Sequence, residues 1–343
     1  MKSVQLVAPR TIEVRDVPLP ADPGPNEVLV KLRSVGICGS DMHWYLGGSI
    51  YGFPATYPLV LGHEPAGEVV AVGKRVSGFL PGDRVSIEPT ISCGHCEYCA
   101  RGQHNNCAQS QFMGSPQALG LLREYALVPE HNAELVPADF NYTQASLIEP
   151  VAVLMHMLEL VEIHAGDSVA ILGAGPIGLL AAAVARSCGA SQVLMAEKLP
   201  HRIKMAQDQG ATAAVPIGQF RELVADQTKG RGVDLSIDAA GAAETINAAL
   251  AVTRLGGTFV LIGIPNQVLV GVDLFSAMAK EIRIQPLKRS NHRSKPAIAL
   301  LAAGAIPEAI VTHRVGVEQA PAAFHTLAEY RDEIGKLVID FPT

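Results

Sequence analysis

Four of the chain's six cysteines, Cys93, Cys96, Cys99 and Cys107, are gathered in the stretch CGHCEYCARGQHNNC with the spacing C-x2-C-x2-C-x7-C. As thiolates, sulfurs this close in sequence can hold a tetrahedral zinc ion or an iron–sulfur cluster. The first two spacers match a bacterial ferredoxin run, but that run continues with a three-residue gap and a proline. Here the gap is seven residues and Ala108 follows, so structural zinc is expected. Four thiolates leave no open coordination position, so such an ion would lock the loop and take no part in chemistry. Cys188, in an alanine-rich stretch, is expected to be a core residue.

A second set of chemically capable residues is scattered: Cys38 in VGICGSDMHWY, His63 and Glu64 in VLGHEPAGEVV, and Glu149 in SLIEPVAV. Singly, each has an ordinary structural explanation: a small buried thiol, a satisfied loop histidine, an acid at a helix N-terminus. Together they offer the mixed sulfur, nitrogen and oxygen donors that suit a catalytic zinc with an exchangeable position. Spacing alone does not join them.

The third feature is Gly173-Ala-Gly175-Pro176-Ile177-Gly178, which directly follows the apolar run 169–172 and opens a helical stretch. In that context the first glycine permits a tight turn, the second lets a pyrophosphate approach, and the third lets helix and strand pack closely. Glu197 lies 19 residues after Gly178, at the end of the next β-rich run, where an acid can bind the adenosine ribose hydroxyls. Its charge would repel a 2′-phosphate, so NAD is expected over NADP, although Lys198 and Arg202 stand close by.

The elements that must position these residues fall into two textures. Residues 1–142 are broken by Pro and Gly (PLPADPGP, LGGSIYGFP, FLPGDRV) between short β-rich runs. From about Val151 alanine-rich helical patterns alternate with β-branched runs, which implies βαβ units and a parallel sheet. Near Ile282 the texture shifts again and ends in a strand-like GKLVIDF, a tail able to return to the first domain. The 343-residue chain is too long for one ordinary core, which stops growing around ~250 to 300 residues. The net charge of −6 lacks a basic block and argues against a nucleic-acid or membrane-surface partner. No apolar run is long enough to span a bilayer and the opening residues lack a signal-peptide pattern, so a cytoplasmic location with reduced thiols is expected.

The pieces CGSDMHWY, GHE-x-x-G at Gly62 to Gly67, GDRV at Gly82 to Val85, the four-cysteine loop, IEP at Ile148 to Pro150, and GAGPIG run in one order across nearly the whole chain. In this the sequence resembles the zinc-containing medium-chain dehydrogenases/reductases, in the sorbitol (polyol) dehydrogenase branch. The resemblance implies an α/β protein: a GroES-like, β-rich catalytic domain over 1–150 and 287–343, with a Rossmann domain (a doubly wound parallel sheet) inserted over 151–286, and a cleft between them. It implies two zinc ions per chain and NAD. Cys38, His63 and either Glu64 or Glu149 would hold the catalytic ion, the remaining carboxylate acting directly or through water. Ser40 would take the substrate alcohol proton, Asp41 would orient the zinc-bound histidine, and His43 would end the proton relay. Ser40 and Asp41 have the alternative of capping a turn.

Polyol dehydrogenases of this branch commonly carry an Arg-Tyr-x-Asn-like stretch near the substrate. Here it corresponds to Lys288-Arg289-Ser290-Asn291, followed by His292 and Arg293. The lost aromatic and added cations point to an acidic or phosphorylated polyol, to a cofactor-phosphate contact, or to a solvated basic loop. Trp44 and Tyr45 would wall the substrate pocket or pack beneath the loop. The expected activity is reversible oxidation of a secondary alcohol of a polyol or sugar derivative by a homo-oligomer, a tetramer or else a dimer. L-Threonine 3-dehydrogenase, simple-alcohol dehydrogenase, and a non-catalytic dinucleotide-binding protein are the alternatives.

Overall fold

Apolar alternation sets the frame of the first unit. The strand Glu27–Gly36 (EVLVKLRSVG) buries every second residue along most of its length, as a sheet with one covered face requires. It is the hub of a seven-stranded sheet, pairing antiparallel with Glu64–Val72, Tyr125–Pro129 and the C-terminal strand Lys336–Asp340. Arg84–Ile87, Ala133–Leu135 and Val311–Gly316 complete the sheet. The opening residues form a hairpin, Lys2–Ala8 with Thr11–Asp16. The computed structural model describes residues 1–50, 52–265 and 267–342.

The chain divides into two compact units. The first comprises Met1–Val153, Ser290–Ala302 and the segment from Val311; the second comprises Leu154–Arg289 and Ala303–Ile310. Residues 303–310, which the sequence placed in the returning tail, therefore belong with the second unit. Among the described residues no helix is long and apolar enough to cross a membrane.

The second unit is built on six parallel strands in the order Ala213–Val215, Gln192–Ala196, Ser168–Leu172, Val233–Asp238, Thr253–Leu261, Arg283–Pro286. Numbered by sequence this is 3-2-1-4-5-6, the doubly wound dinucleotide-binding order. All five residues of SVAIL at 168–172 are buried, as expected of a central strand covered on both faces. Around it Leu194, Phe220, Leu250 and Phe259 form part of a continuous core.

Candidate active site

The scattered donors are joined by strand register. Gly36 lies opposite Glu64 where the strands Glu27–Gly36 and Glu64–Val72 pair, so Cys38, just past the end of one, meets His63 and Glu64 at the start of the other. One donor atom each from Cys38, His63 and Glu64 lie mutually within 4.8 Å. Sulfur, imidazole and carboxylate at that spacing fit one divalent ion with room for a further ligand. Glu149, in the first turn of the helix Ile148–Leu160, does not share this tight grouping.

Asp41 holds the group in place. It is fully buried; one carboxylate oxygen accepts the Cys38 N–H at 3.0 Å, and the other accepts the Gly62 N–H at 3.0 Å and lies 3.6 Å from His63 Nδ1. The Nε2 edge of His63 is thereby turned away from Asp41, with Ser40 Oγ at 3.2 Å from it. Burial opposes ionisation of Asp41, but the charge of His63 and the two backbone donors hold its carboxyl below the ordinary range. Burial likewise works against a charged His63, yet Asp41 and the Cys38 sulfur outweigh it and raise the imidazole well above its usual value. Gly62 has φ +87°, and an added Cβ would sit 2.6 Å from the Leu122 side chain, so only glycine presents that N–H here.

A residue that the sequence reading missed sits behind Glu64. Lys336, on the C-terminal strand, forms an ion pair with Glu64 Oε2 and donates to Ile37 O at 2.9 Å. Both side chains are almost wholly buried, 1% and 2% exposed. A Cβ on Gly36 would collide with Glu64 Oε2, so that glycine leaves the space the pair occupies. The available signal was a lone lysine heading a strand whose next three residues are apolar.

Ser40 and His43 lie on the helix Gly39–Gly47, three residues apart and therefore on one face. Both are half-buried, and burial lowers the His43 pKa, favouring the neutral imidazole. Trp44 and Tyr45 on the same helix are buried; the Tyr45 ring stacks at a tilt on Phe324, 5.5 Å between centroids, in the core. Burial pushes the Glu149 carboxyl up to about 8, with Glu64 and Glu88 raising it further and His63 and Lys336 drawing it down.

The four loop cysteines converge as their spacing predicts. Their sulfurs lie mutually within 4.8 Å, with Cys96–Cys99 at 3.5 Å, Cys96–Cys107 at 3.9 Å and Cys93–Cys99 at 4.0 Å. Zinc–sulfur bonds of about 2.3 Å in a tetrahedron put sulfurs about 3.8 Å apart. The loop thus fits a single ion and is too tight to straddle a cluster of several irons. Backbone donors from Cys99 and Ala108 draw the Cys96 thiol down to about 6, whereas burial pushes Cys99 up to about 11.

The basic stretch is divided by the fold. Lys288 is exposed and Arg289 half-buried in the second unit, whereas Ser290 and Asn291 are buried in the first. Asn291 fastens the four-cysteine loop: its Oδ1 accepts from His104 N at 2.9 Å and Asn105 N at 3.4 Å, and its Nδ2 donates to Gly102 O at 2.9 Å. Orphaning such buried backbone groups costs about 1 to 3 kcal/mol. Asn291→Ala is therefore expected to speed zinc release from this loop to a colorimetric chelator by about tenfold or more. An unchanged release rate would refute the role.

In the second unit Gly173 adopts φ +102°, and a Cβ on Gly178 would strike the Gly173 carbonyl, which accounts for the first and third glycines of the motif. The helix Pro176–Ser187 begins there with proline at its first position. Glu197 follows the strand Gln192–Ala196 and accepts from Ala174 N at 2.8 Å, Lys198 N at 2.7 Å and Leu199 N at 3.1 Å. A carboxylate has about four acceptor sites, so capacity for a ribose hydroxyl is left. Arg202 is buried with a guanidinium nitrogen 3.6 Å from where a Gly175 Cβ would lie.

Fold and site together define a zinc-type oxidoreductase, and the comparisons agree. Residues 24–138 match the alcohol dehydrogenase GroES-like domain, and residues 176–303 match the zinc-binding dehydrogenase family. The chain is 34% identical to sorbitol dehydrogenase of Bacillus subtilis over 342 residues, 99% of this chain and 97% of that protein. It is 34% identical to D-xylulose reductase A of Aspergillus niger, over 91% of this chain and 89% of that one. A protein of Sinorhizobium meliloti 1021 assigned as a zinc-binding dehydrogenase and solved with NADP superposes with a TM-score of 0.89 at 34% identity, covering 99% of this chain and 98% of the other. The chain belongs to the zinc-containing medium-chain dehydrogenases/reductases, in the polyol dehydrogenase branch.

Proposed function

We propose that the protein oxidises a secondary alcohol of a polyol or sugar derivative to a ketone, reversibly and with NAD as hydride acceptor. The observation that carries this is the convergence of Cys38, His63 and Glu64 beside Ser40. The names of the sorbitol and xylulose relatives support the substrate class. Bound at these three side chains, zinc supplies Lewis acidity to a substrate hydroxyl, and NAD at the glycine turn supplies the hydride acceptor. Asp41 fixes the orientation of His63 so that Nε2 faces the ion. Ser40 takes the hydroxyl proton and His43, neutral and one helical turn on, passes it outward. Glu149, its carboxyl pushed up by burial, stands as a second carboxyl close to the site. Cys93, Cys96, Cys99 and Cys107 hold the second, structural ion.

A substrate panel followed by reduced-cofactor absorbance tests the reading. Polyols should be turned over with NAD preferred to NADP, and Glu197→Ser should erode that preference by about tenfold, the worth of one charge-assisted contact. Turnover of threonine without any polyol would refute it, as would an unchanged cofactor preference in Glu197→Ser.

The assembly we propose is a homo-oligomer, a tetramer or else a dimer. It is supported by a run of exposed apolar side chains, Val268, Leu269, Leu274, Phe275 and Met278, next to the edge strand Arg283–Pro286. Light scattering should give a multiple of the 36.2 kDa chain, and Phe275→Asp should shift it toward monomer. A monomeric wild type would rule this out.

A further inference from the structure

At the other end of the second unit's sheet lies a cavity of about 670 Å³, lined by Arg221, Arg231, Arg254 and Lys280, with no carboxylate among its lining residues. It opens beside the starts of the strands Val233–Asp238 and Thr253–Leu261, whereas the glycine turn and Glu197 follow the ends of their strands. A six-residue strand spans about 20 Å, so this cavity is remote from the dinucleotide turn. We propose that it binds a small phosphate-bearing anion.

The charge distribution carries the argument. A chain with a net charge of −6 brings four cations to this one cavity. Asp234 pairs with Arg231 at 2.6 Å and Arg254 at 2.7 Å, and the charge of Asp167 also acts on Arg231, which leaves two positive charges in excess. Three of the four cations, Arg231, Arg254 and Lys280, are also held in place. Asp234 fixes both guanidinium groups, and Lys280 gives its three donors to the carbonyls of Leu250, Ala251 and Thr253 at 2.6 to 3.1 Å. Lys280 therefore contributes field rather than a hydrogen bond. Its ammonium stands near the Arg221 guanidinium, and burial together with that charge lowers its pKa. Arg221 makes no hydrogen bond or ion pair among the described residues, so its planar set of five donors is available to an oxyanion. Like charges around a hollow with little acid to compensate them are stabilised by an anion entering it, and the three anchored cations lose little entropy on binding.

Calorimetric titration tests this, using full-length protein saturated with reduced cofactor so that the glycine turn is occupied, at fixed ionic strength. Inorganic phosphate should bind saturably at about one per chain in the millimolar range or tighter. Arg221→Ala should weaken it by about tenfold and Arg221→Ala/Arg231→Ala should abolish it, with phosphate-free turnover unchanged in the single variant. Tighter binding of glucose 6-phosphate would identify a phosphorylated metabolite as the ligand, and tighter binding of inorganic phosphate would identify the free anion. Absence of saturable binding up to about 10 mM, or binding indifferent to Arg221→Ala, would overturn the proposal.

Discussion

Cys38→Ser is expected to lower polyol turnover on the order of a thousandfold while the protein stays folded. The basis is that Lewis-acid stabilisation of developing alkoxide charge is worth several kcal/mol, and about 4 kcal/mol corresponds to that factor. Cys38 supplies the one thiolate of the open donor set, and its side chain, half-buried at the start of the helix Gly39–Gly47, carries little core packing. Cys99→Ser should behave in the opposite way. Cys99 is buried among three other sulfurs in a loop whose few short elements offer no other core. A structural zinc contributes roughly 10 to 16 kcal/mol of apparent binding energy, comparable to the whole stability of a domain. Its loss should open the loop to protease and lower the thermal midpoint. Limited proteolysis beside steady-state kinetics separates the two. Loss of fold in Cys38→Ser with loss of activity alone in Cys99→Ser would mean the two centres have been interchanged.

Lys336→Met is the second large expected effect. It removes the cation from a pair that is nearly fully buried and leaves the Glu64 carboxylate without its partner. Breaking a buried pair from one side costs about 3 to 5 kcal/mol, whereas replacing both members by neutral groups recovers much of the loss. Lys336→Met/Glu64→Gln should therefore be more stable than Lys336→Met alone. The measurement is convenient because Trp44, the chain's single tryptophan, is buried in the first unit, so its fluorescence in a urea titration reports the unit that holds the pair. A loss below about 1 kcal/mol, typical of a solvated surface pair, would show that the ion pair is not what positions Glu64.

These two predictions differ in how far the sequence alone reaches. The four-cysteine loop and the glycine turn are local: ligand spacing or backbone demand is complete within a short stretch, so type and order of residues suffice. The parallel sheet was likewise legible, because SVAIL and QVLMA are apolar after their first residue and alternate with helical patterns. Cys38, His63 and Glu64 are different. What unites them is the register between Gly36 and Glu64, a long-range pairing that residue spacing does not encode, and only resemblance brought them together. Lys336 comes from still farther away, through the pairing of Val338 with Gly36, and in the sequence it looks like an ordinary charged residue before a strand. Asn291 shows the same limit from another side. In KRSNHR it lies among cations that suggested substrate contact, yet the fold turns its amide onto the backbone of a loop 187 positions away from it.

One open and one closed metal centre are assigned to the chain, and metal content tests that assignment most directly. Zinc quantified by mass spectrometry should give about two ions per chain in the wild type and about one in Cys38→Ser, with the remaining ion held by the cysteine loop. A wild type with one ion per chain, or a Cys38→Ser variant that keeps both, would contradict the assignment of Cys38, His63 and Glu64 as the catalytic centre.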